Sequence, residues 1–166
     1  MPAGEGLYVS YLFHPPWSQR QAPMLNLIAA LAVKRSLSRL DPGLPSVVRL
    51  KEPNDILIED RKIGGVLVEL GTLGDRLTWA ILGIGVNLSQ TRFDLRDASL
   101  APTSLRMEGF PVPHRLDLYG LLTRELEKLY RMASSGRTEE LEGEFQMEIE
   151  RTRRLPRRPT TEEAVE

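Results

Sequence analysis

The chain of 166 residues lacks cysteine, a large net charge and any long apolar run. Without cysteine there is no disulfide, no thiolate metal site and no cysteine nucleophile, which is typical of proteins in a reducing cytosol. The formal net charge of -1 excludes a global attraction to DNA or to an anionic membrane. The first apolar run has no basic leader and stops at Pro15 and Pro16, well short of a membrane span. We therefore expect a soluble, cytoplasmic protein that recognises its partners locally.

The middle of the chain has the pattern of short strands that follow a helix. Residues 7–13 have a period of two with apolar residues on both faces, which predicts a strand, and Pro23 then begins a helix whose apolar spacing ends before Pro42. Connections between the next apolar runs are too short for helical crossovers, so an antiparallel meander is predicted. These runs are residues 47–51, 56–59, 64–70 and 77–86.

The second half of the chain is predicted to be helical after a long connection. Residues 91–113 lack periodicity and indicate an extended surface loop. An apolar stripe over 116–130 predicts one helix, and a shorter helix is expected over about residues 138–150. Residues 151–166 are rich in arginine without aromatic residues, which favours a disordered tail over a nucleic-acid-binding arm. We therefore predict one α+β domain over 1–150, with helices packed on one face of a mainly antiparallel sheet.

Three polar and glycine-rich clusters lie on neighbouring predicted strands: KEPND at 51–55, DRKIGGVLVE at 60–69 and GIGVN at 83–87. Each has a structural explanation of its own. A Pro-Asn-Asp sequence forms tight turns, a lysine at the end of a polar hairpin is usually solvated, and a glycine inside an apolar strand can mark a β-bulge. Such a glycine can equally mark the close approach of a ligand to the backbone.

Together, the clusters suit the activation of a carboxylate by ATP. That reaction brings two anions together, so it requires a cation at the reacting oxygens and a hard oxygen ligand for magnesium. Lys62 is the candidate cation and Asp55 the candidate magnesium ligand. Neutral amides can orient phosphate, ribose or water without adding charge, and backbone without side chains accepts a flat ligand. The candidates of these two kinds are Asn54, Asn87, Gly65, Gly83 and Gly85.

The motifs, in this order, resemble those of biotin protein ligases. KEPND, DRKIGGVLVEL and GIGVNL are similar to the family patterns KWPND, (D)RK(L/I)(A/G)G(I/V)L(V/I)E and G(I/A)G(I/V)N. GEGLYVSYLF resembles the first central strand of the family and PTSL at 102–105 resembles a later loop, so the similarity covers about residues 4–130. Lipoate ligases share the fold but not this combination. The resemblance implies a fold like that of class II aminoacyl-tRNA synthetases and biotin ligases.

Enzymes of that family condense biotin with ATP to biotinyl-AMP and pass biotin to a lysine of the biotin carboxyl carrier domain of a biotin-dependent carboxylase. The resemblance implies that Lys62 is the catalytic residue, in contact with the biotin carboxylate and the α-phosphate, and that Gly65 lies against biotin. It implies that Asn54 and Asp55 serve the nucleotide and its magnesium. The remaining matched residues would line the adenylate pocket: Gly83, Gly85 and Asn87.

The sequence departs from the family at its start and at one position of the first motif. The glycine- and arginine-rich GRGRxGR loop should lie just before Leu7 and is absent, as are earlier residues that contact biotin. We therefore expect an N-terminally truncated catalytic domain, without a loop whose phosphate contacts stabilise the transition state. Glu52 replaces a tryptophan, which places a carboxylate beside Asp55 where it would repel phosphate.

The sequence leaves three functions open. They are a biotin protein ligase, a non-catalytic ligase-like module or incomplete subunit that cannot form the adenylate alone, and a ligase for another small carboxylate. Neither a helix-turn-helix nor a C-terminal β-barrel is predicted, so no DNA partner is expected. A sheet without the strands that normally precede residue 7 would expose an edge and apolar surface. We therefore expect a homodimer or association with a complementary fragment.

Overall fold

Strands and helices follow each other along the chain largely as the sequence predicts. The computed structural model describes residues 4–94 and 100–154. The strands are β1 (Gly6–Phe13), β2 (Val48–Lys51), β3 (Asp55–Ile58), β4 (Arg61–Leu73) and β5 (Arg76–Asn87). The helices are α1 (Pro23–Ser38), α2 (Leu44–Val47), α3 (Arg115–Ser134) and α4 (Thr138–Arg154), with a 3-10 turn at Gln19–Gln21. No helix within the described ranges is long and apolar enough to cross a membrane.

The five strands form one antiparallel sheet in the order β1-β5-β4-β3-β2. Short turns join β2 to β3, β3 to β4 and β4 to β5, which confirms the predicted meander, and β1 pairs with β5. The turn between β4 and β5 uses Gly74 at φ 60°, a left-handed value that glycine adopts without strain. β1 and β2 are therefore the outer strands of the sheet.

The long helices pack on one face of the sheet. α1 lies against β2, β3, β4 and β5 and is buried on nearly every side, because α3 and α4 pack on it as well. α3 also reaches β1, where the Tyr11 and Thr123 hydroxyl oxygens are 2.9 Å apart and the Phe13 and Tyr130 ring centroids 4.8 Å apart. The predicted α+β fold with helices on one face is confirmed.

The other side of the sheet is exposed to solvent. Tyr8 is 53% exposed, Leu12 64% and Leu67 60%, whereas Leu7 and Val66, which alternate with them, are buried. The period of two therefore marks two different faces, since successive side chains of a strand point to opposite sides. We call the side that carries Tyr8, Leu12 and Leu67 the open face.

Helix α4 continues past its predicted end near Glu150. It ends at Arg154, whose guanidinium lies 3.0 Å from the Glu150 carboxylate. Pairs at this spacing support a helix, and basic side chains in the last turn interact favourably with the helix dipole. Residues 151–154 therefore belong to the helix rather than to the predicted tail. Residues 155–166 lie outside the described residues.

The connection between β5 and α3 is partly buried, which corrects the prediction of a surface loop. Thr103, Ser104 and Leu105 are fully buried. The Ser104 hydroxyl donates to the Gln90 carbonyl at 2.6 Å, as buried polar groups require. The sequence gives no periodic signal for this burial, because the buried residues are three consecutive ones in a single turn. Residues 95–99 of this connection lie outside the described residues.

A candidate active site on the open face

Three glycines on two neighbouring strands form the floor of a depression in the open face. Gly65 of β4 pairs with Gly85 of β5, and Gly83 lies two residues along β5 on the same side. The depression has a volume of about 450 Å³ and is bordered by Tyr8 and Lys62. Sites for small molecules typically have roughly 300–1,000 Å³. The depression is therefore large enough for a small ligand.

The absence of Cβ atoms keeps this floor open. A Cβ on Gly65 would lie 3.4 Å from the Asn54 carbonyl oxygen and 3.5 Å from Lys62 Cε. A Cβ on Gly85 would lie 3.2 Å from the ring of Tyr8. The structure therefore brings the predicted glycines together on one surface, where a flat ligand has access to bare backbone.

A β-bulge turns Lys62 towards the depression. The partners of Lys62 and Gly64 on β3 are consecutive residues, so Ile63 is an extra residue in β4. In a regular strand Lys62 would share a face with Gly64, away from Gly65. The extra residue instead places the Lys62 side chain on the same face as Gly65. Lys62 therefore lies inside β4 rather than in the predicted turn, and the bulge directs its side chain to the open face.

Asp55 and Asn54 lie beside this lysine. Asp55, opposite Gly65 on β3, forms an ion pair with Lys62, and the side chains are 11% and 40% exposed respectively. Asn54 lines the depression, and its carbonyl accepts a hydrogen bond from the Val66 N–H at 2.9 Å. In the described part of the chain no group of three acidic, histidine or cysteine side chains is placed to hold a metal ion. Asp55 is thus a carboxylate whose charge is balanced by the neighbouring Lys62.

Asn87 lies at the end of β5, where its side chain bonds within the protein. Its amide nitrogen donates to the Thr103 carbonyl at 2.9 Å. Its amide oxygen accepts from the Tyr8 hydroxyl at 3.3 Å and from the Gln90 side chain at 3.2 Å. The structure places Asn87 beside the depression, linked to it through Tyr8, and not in its lining. Contact between Asn87 and an adenylate stays a prediction.

Glu52, at the tryptophan position of the family, faces the end of α4. Its carboxylate lies 3.4 Å from the Arg153 guanidinium, and its side chain is 51% exposed. Glu52 does not line the depression. The arginine partly offsets the negative charge that the sequence places near Asp55. An exposed ion pair of this kind contributes less than about 1 kcal/mol to stability.

Six residues of the lining were not singled out from the sequence, and three of them, Tyr8, Ser10 and Leu67, lie on the open face. The alternation along β1 contained part of the signal, because it separates Tyr8 and Ser10 from the buried side of that strand. The Tyr8 ring covers Gly85 because the pairing register of β1 with β5 places these two residues opposite each other. Register between strands so far apart in sequence is set by the whole sheet and not by a local pattern.

These features define an α+β fold with a glycine-floored depression, bordered by a lysine, on the open face of its sheet. The same fold occurs in the biotin protein ligase of Aquifex aeolicus, solved in complex with biotin and ATP. The TM-score is 0.71 at 22% identity, over 87% of this chain and 58% of that chain. A sequence model of the biotin/lipoate A/B protein ligase family matches residues 1–87, and the chain belongs to this family.

Two curated relatives show the same relationship in sequence. The bifunctional ligase/repressor BirA of Bacillus spizizenii is 35% identical over 133 residues, which are 77% of this chain and 39% of that protein. A biotin–[acetyl-CoA-carboxylase] ligase of Mycobacterium tuberculosis is 34% identical over 103 residues, which are 62% of this chain and 36% of that protein. The chain thus spans less than two fifths of the length of either relative within the matched region.

Proposed function

We propose that this chain carries the floor of a biotin-activating site and binds biotin and ATP on its open face. In the proposed reaction a biotin carboxylate oxygen attacks the α-phosphorus of ATP, the bond to the β-phosphate breaks, and biotinyl-AMP and pyrophosphate form. The amine of a lysine on a biotin carboxyl carrier domain then attacks the acyl carbon and releases AMP. The observation that carries the proposal is the position of Lys62 beside a bare glycine floor in a member of this family.

Lys62 is the proposed catalytic residue. The ion pair with Asp55 holds its ammonium nitrogen over Gly65, 3.6 Å from the position of a Cβ there. A cation at this place would offset the negative charge that builds up where carboxylate and phosphate meet. Substrate oxygens would compete with Asp55 for the ammonium, and this competition would free the carboxylate for magnesium.

Asn54 and Asp55 are the proposed residues for the nucleotide and its magnesium. Bound magnesium would neutralise charge on the phosphates. It usually keeps several waters and is held by one or two carboxylates together with substrate phosphates, so a single Asp55 suits it. Gly83, Gly85 and Asn87 are proposed to lie beside the adenylate. The domain that performs this chemistry is proposed to lie within residues 1–150.

A second candidate function is a ligase-like module that binds biotin or a carrier domain without forming the adenylate, or an incomplete subunit. One observation favours it. Within the described lining of the depression Lys62 is the only charged side chain. Adenylate formation joins two anions and generally uses more than one cationic contact to the phosphates.

Biotin-dependent exchange of pyrophosphate into ATP tests the proposal on the 166-residue chain. Lys62→Ala should abolish exchange, whereas the control Lys128→Ala, at an exposed lysine of α3, should leave it unchanged. That result would exclude the non-catalytic module. Exchange that survives Lys62→Ala would contradict the role of Lys62. Biotin binding without exchange would support the module, and neither binding nor exchange would contradict both functions.

We further propose that β1 is an association surface for a second copy or a complementary fragment. β1 is an outer strand of the sheet, and its Leu12 is 64% exposed. Outer strands that carry apolar side chains favour pairing with another chain. The carrier domain is the proposed acceptor, and the cytoplasm, to which the absence of cysteine is suited, is the proposed location.

A further inference from the structure

The connection between β5 and α3 holds the backbone of Lys62. The last residue of β5 that pairs with β4 is Val86, opposite Gly64, so Lys62 extends beyond β5. Residues 101–103 take the place of β5 there. The Lys62 N–H donates to the Ala101 carbonyl at 2.8 Å, and the Thr103 N–H donates to the Lys62 carbonyl at 2.8 Å. Both backbone groups of Lys62 on this side are therefore bonded to the connection.

Glu108 joins this connection to the residue before Lys62. Its side chain is only 7% exposed, and its carboxylate lies 2.5 Å from the Arg61 guanidinium. The second carboxylate oxygen accepts a hydrogen bond from the hydroxyl of Thr103, which is fully buried. Hydrogen bonds to a charged group in a poorly solvated site are stronger than neutral ones. Loss of Glu108 would leave a guanidinium and a buried hydroxyl without this partner.

We propose that Glu108, acting through Arg61 and Thr103, is a positioning residue for Lys62. This inference rests on the proposed function, in which Lys62 is the catalytic residue. The structural feature that Glu108 is proposed to stabilise is the bulge at Ile63. The bulge is what brings Lys62 to the open face, and a slip of one residue in a strand turns its side chains to the other face. The contacts of Glu108 join β4, at Arg61, to the connection, at Thr103, next to that bulge.

Amide hydrogen exchange on the 166-residue chain tests the inference without any ligand. Glu108→Gln should speed exchange of the Lys62 and Thr103 amides by about tenfold or more, because their acceptors move away when the connection opens. The control is Glu125→Gln, at a carboxylate 3% exposed that pairs with arginines of α1 and its C-cap on the helical side. It should leave the two amides protected. Equal protection in Glu108→Gln and the parent, or the same loss in both variants, would overturn the inference.

A second pair of variants applies if Glu108→Gln does not fold. Thr103→Ser keeps the hydroxyl and should leave exchange at Lys62 as in the parent, whereas Thr103→Val removes it and should raise that exchange. Identical exchange in these two variants would overturn the inference.

The chemical reactivity of the Lys62 amine is a second readout, which would not change if Glu108 had only a structural role. Mild acetylation, followed by mass spectrometry, gives the reactivity of Lys62 relative to Lys128, an exposed lysine of α3. Loss of the Glu108 contacts should raise this ratio several-fold, because Lys62 leaves its ion pair with Asp55. An unchanged ratio would contradict the positioning role. Neither readout requires biotin or ATP, so a failure of pyrophosphate exchange and a failure of this inference are distinguishable.

Discussion

Gly64 and Gly83 lie on opposite faces of the sheet, and a side chain would affect them differently. A Cβ on Gly64 would lie 2.4 Å from the Gly85 carbonyl oxygen, whereas a Cβ on Gly83 has its nearest contact, Leu67, at 3.7 Å. Gly64→Ala should therefore lower the free energy of unfolding by at least about 2 kcal/mol, because β4 and β5 must move apart. Gly83→Ala should change it by less than about 1 kcal/mol. Chemical denaturation measures both, and equal losses would contradict the assigned faces.

At the residue scale, the sequence predicts which residues lie around the depression better than it predicts the orientation of their side chains. Lys62 and the glycine at position 65 were predicted together, and they do share one face. Strict alternation would have put Lys62 on the buried face with Gly64, and only the bulge corrects this. A bulge depends on the partner strand, which no local pattern specifies. The orientation of the Asn87 side chain was likewise not predictable from the sequence, because its amide forms hydrogen bonds with Tyr8 and Thr103, which are distant along the chain.

At the scale of elements, a partly buried ion pair joins α1 to α4. The Lys34 side chain is 8% exposed and that of Glu148, its partner, 22%. Burial lowers the pKa of Lys34 below its ordinary value, and Glu148 opposes this shift. Glu148→Ala should destabilise the protein by at most about 3 kcal/mol, because it leaves the charge of the buried Lys34 without its partly exposed partner. Replacing both residues, as Lys34→Met with Glu148→Leu, should cost much less, and denaturant unfolding measures the difference.

The loss of folding stability caused by Glu148→Ala should depend on pH in a direction that the pKa of Lys34 determines. Without Glu148 the folded-state pKa of Lys34 falls further below its value in the unfolded chain. Between these two pKa values the unfolded state binds more protons, so stability rises with pH. The loss should therefore shrink as the pH is raised from neutral towards 10.5, the ordinary lysine pKa. A loss that is independent of pH would contradict this account.

Regular elements were predictable where periodicity is strong, as in α3 and in the strands of the meander. Two departures have physical causes. Arg154 pairs with Glu150 and prolongs α4 into a segment whose composition suggested a tail. The connection near Thr103 is buried because it continues the sheet beside Lys62, a role that requires the tertiary structure. Neither a run of arginines nor an aperiodic loop carries that information alone.

For the whole molecule, the outer strand β1 predicts self-association. Leu12→Lys should reduce it, because a charge on an outer strand opposes edge-to-edge pairing. Met147→Lys is the matched control, since Met147 on α4 is 67% exposed and Leu12 64%. Sedimentation velocity should show a concentration-dependent increase in mass for the parent and the control only. A parent that stays monomeric at every concentration would contradict the prediction.

We propose that the open face binds biotin and ATP on its glycine floor. Titration of the ¹⁵N-labelled chain with biotin, and then with ATP, tests this proposal, because glycine amides report on the floor itself. We expect biotin to cause a saturable shift at Gly65 and added ATP to cause shifts at Gly83 and Gly85, with Gly120 of α3 and Gly143 of α4 unchanged. A Gly65 amide that remains unshifted at saturating biotin, or shifts confined to the helical glycines, would contradict the proposed site.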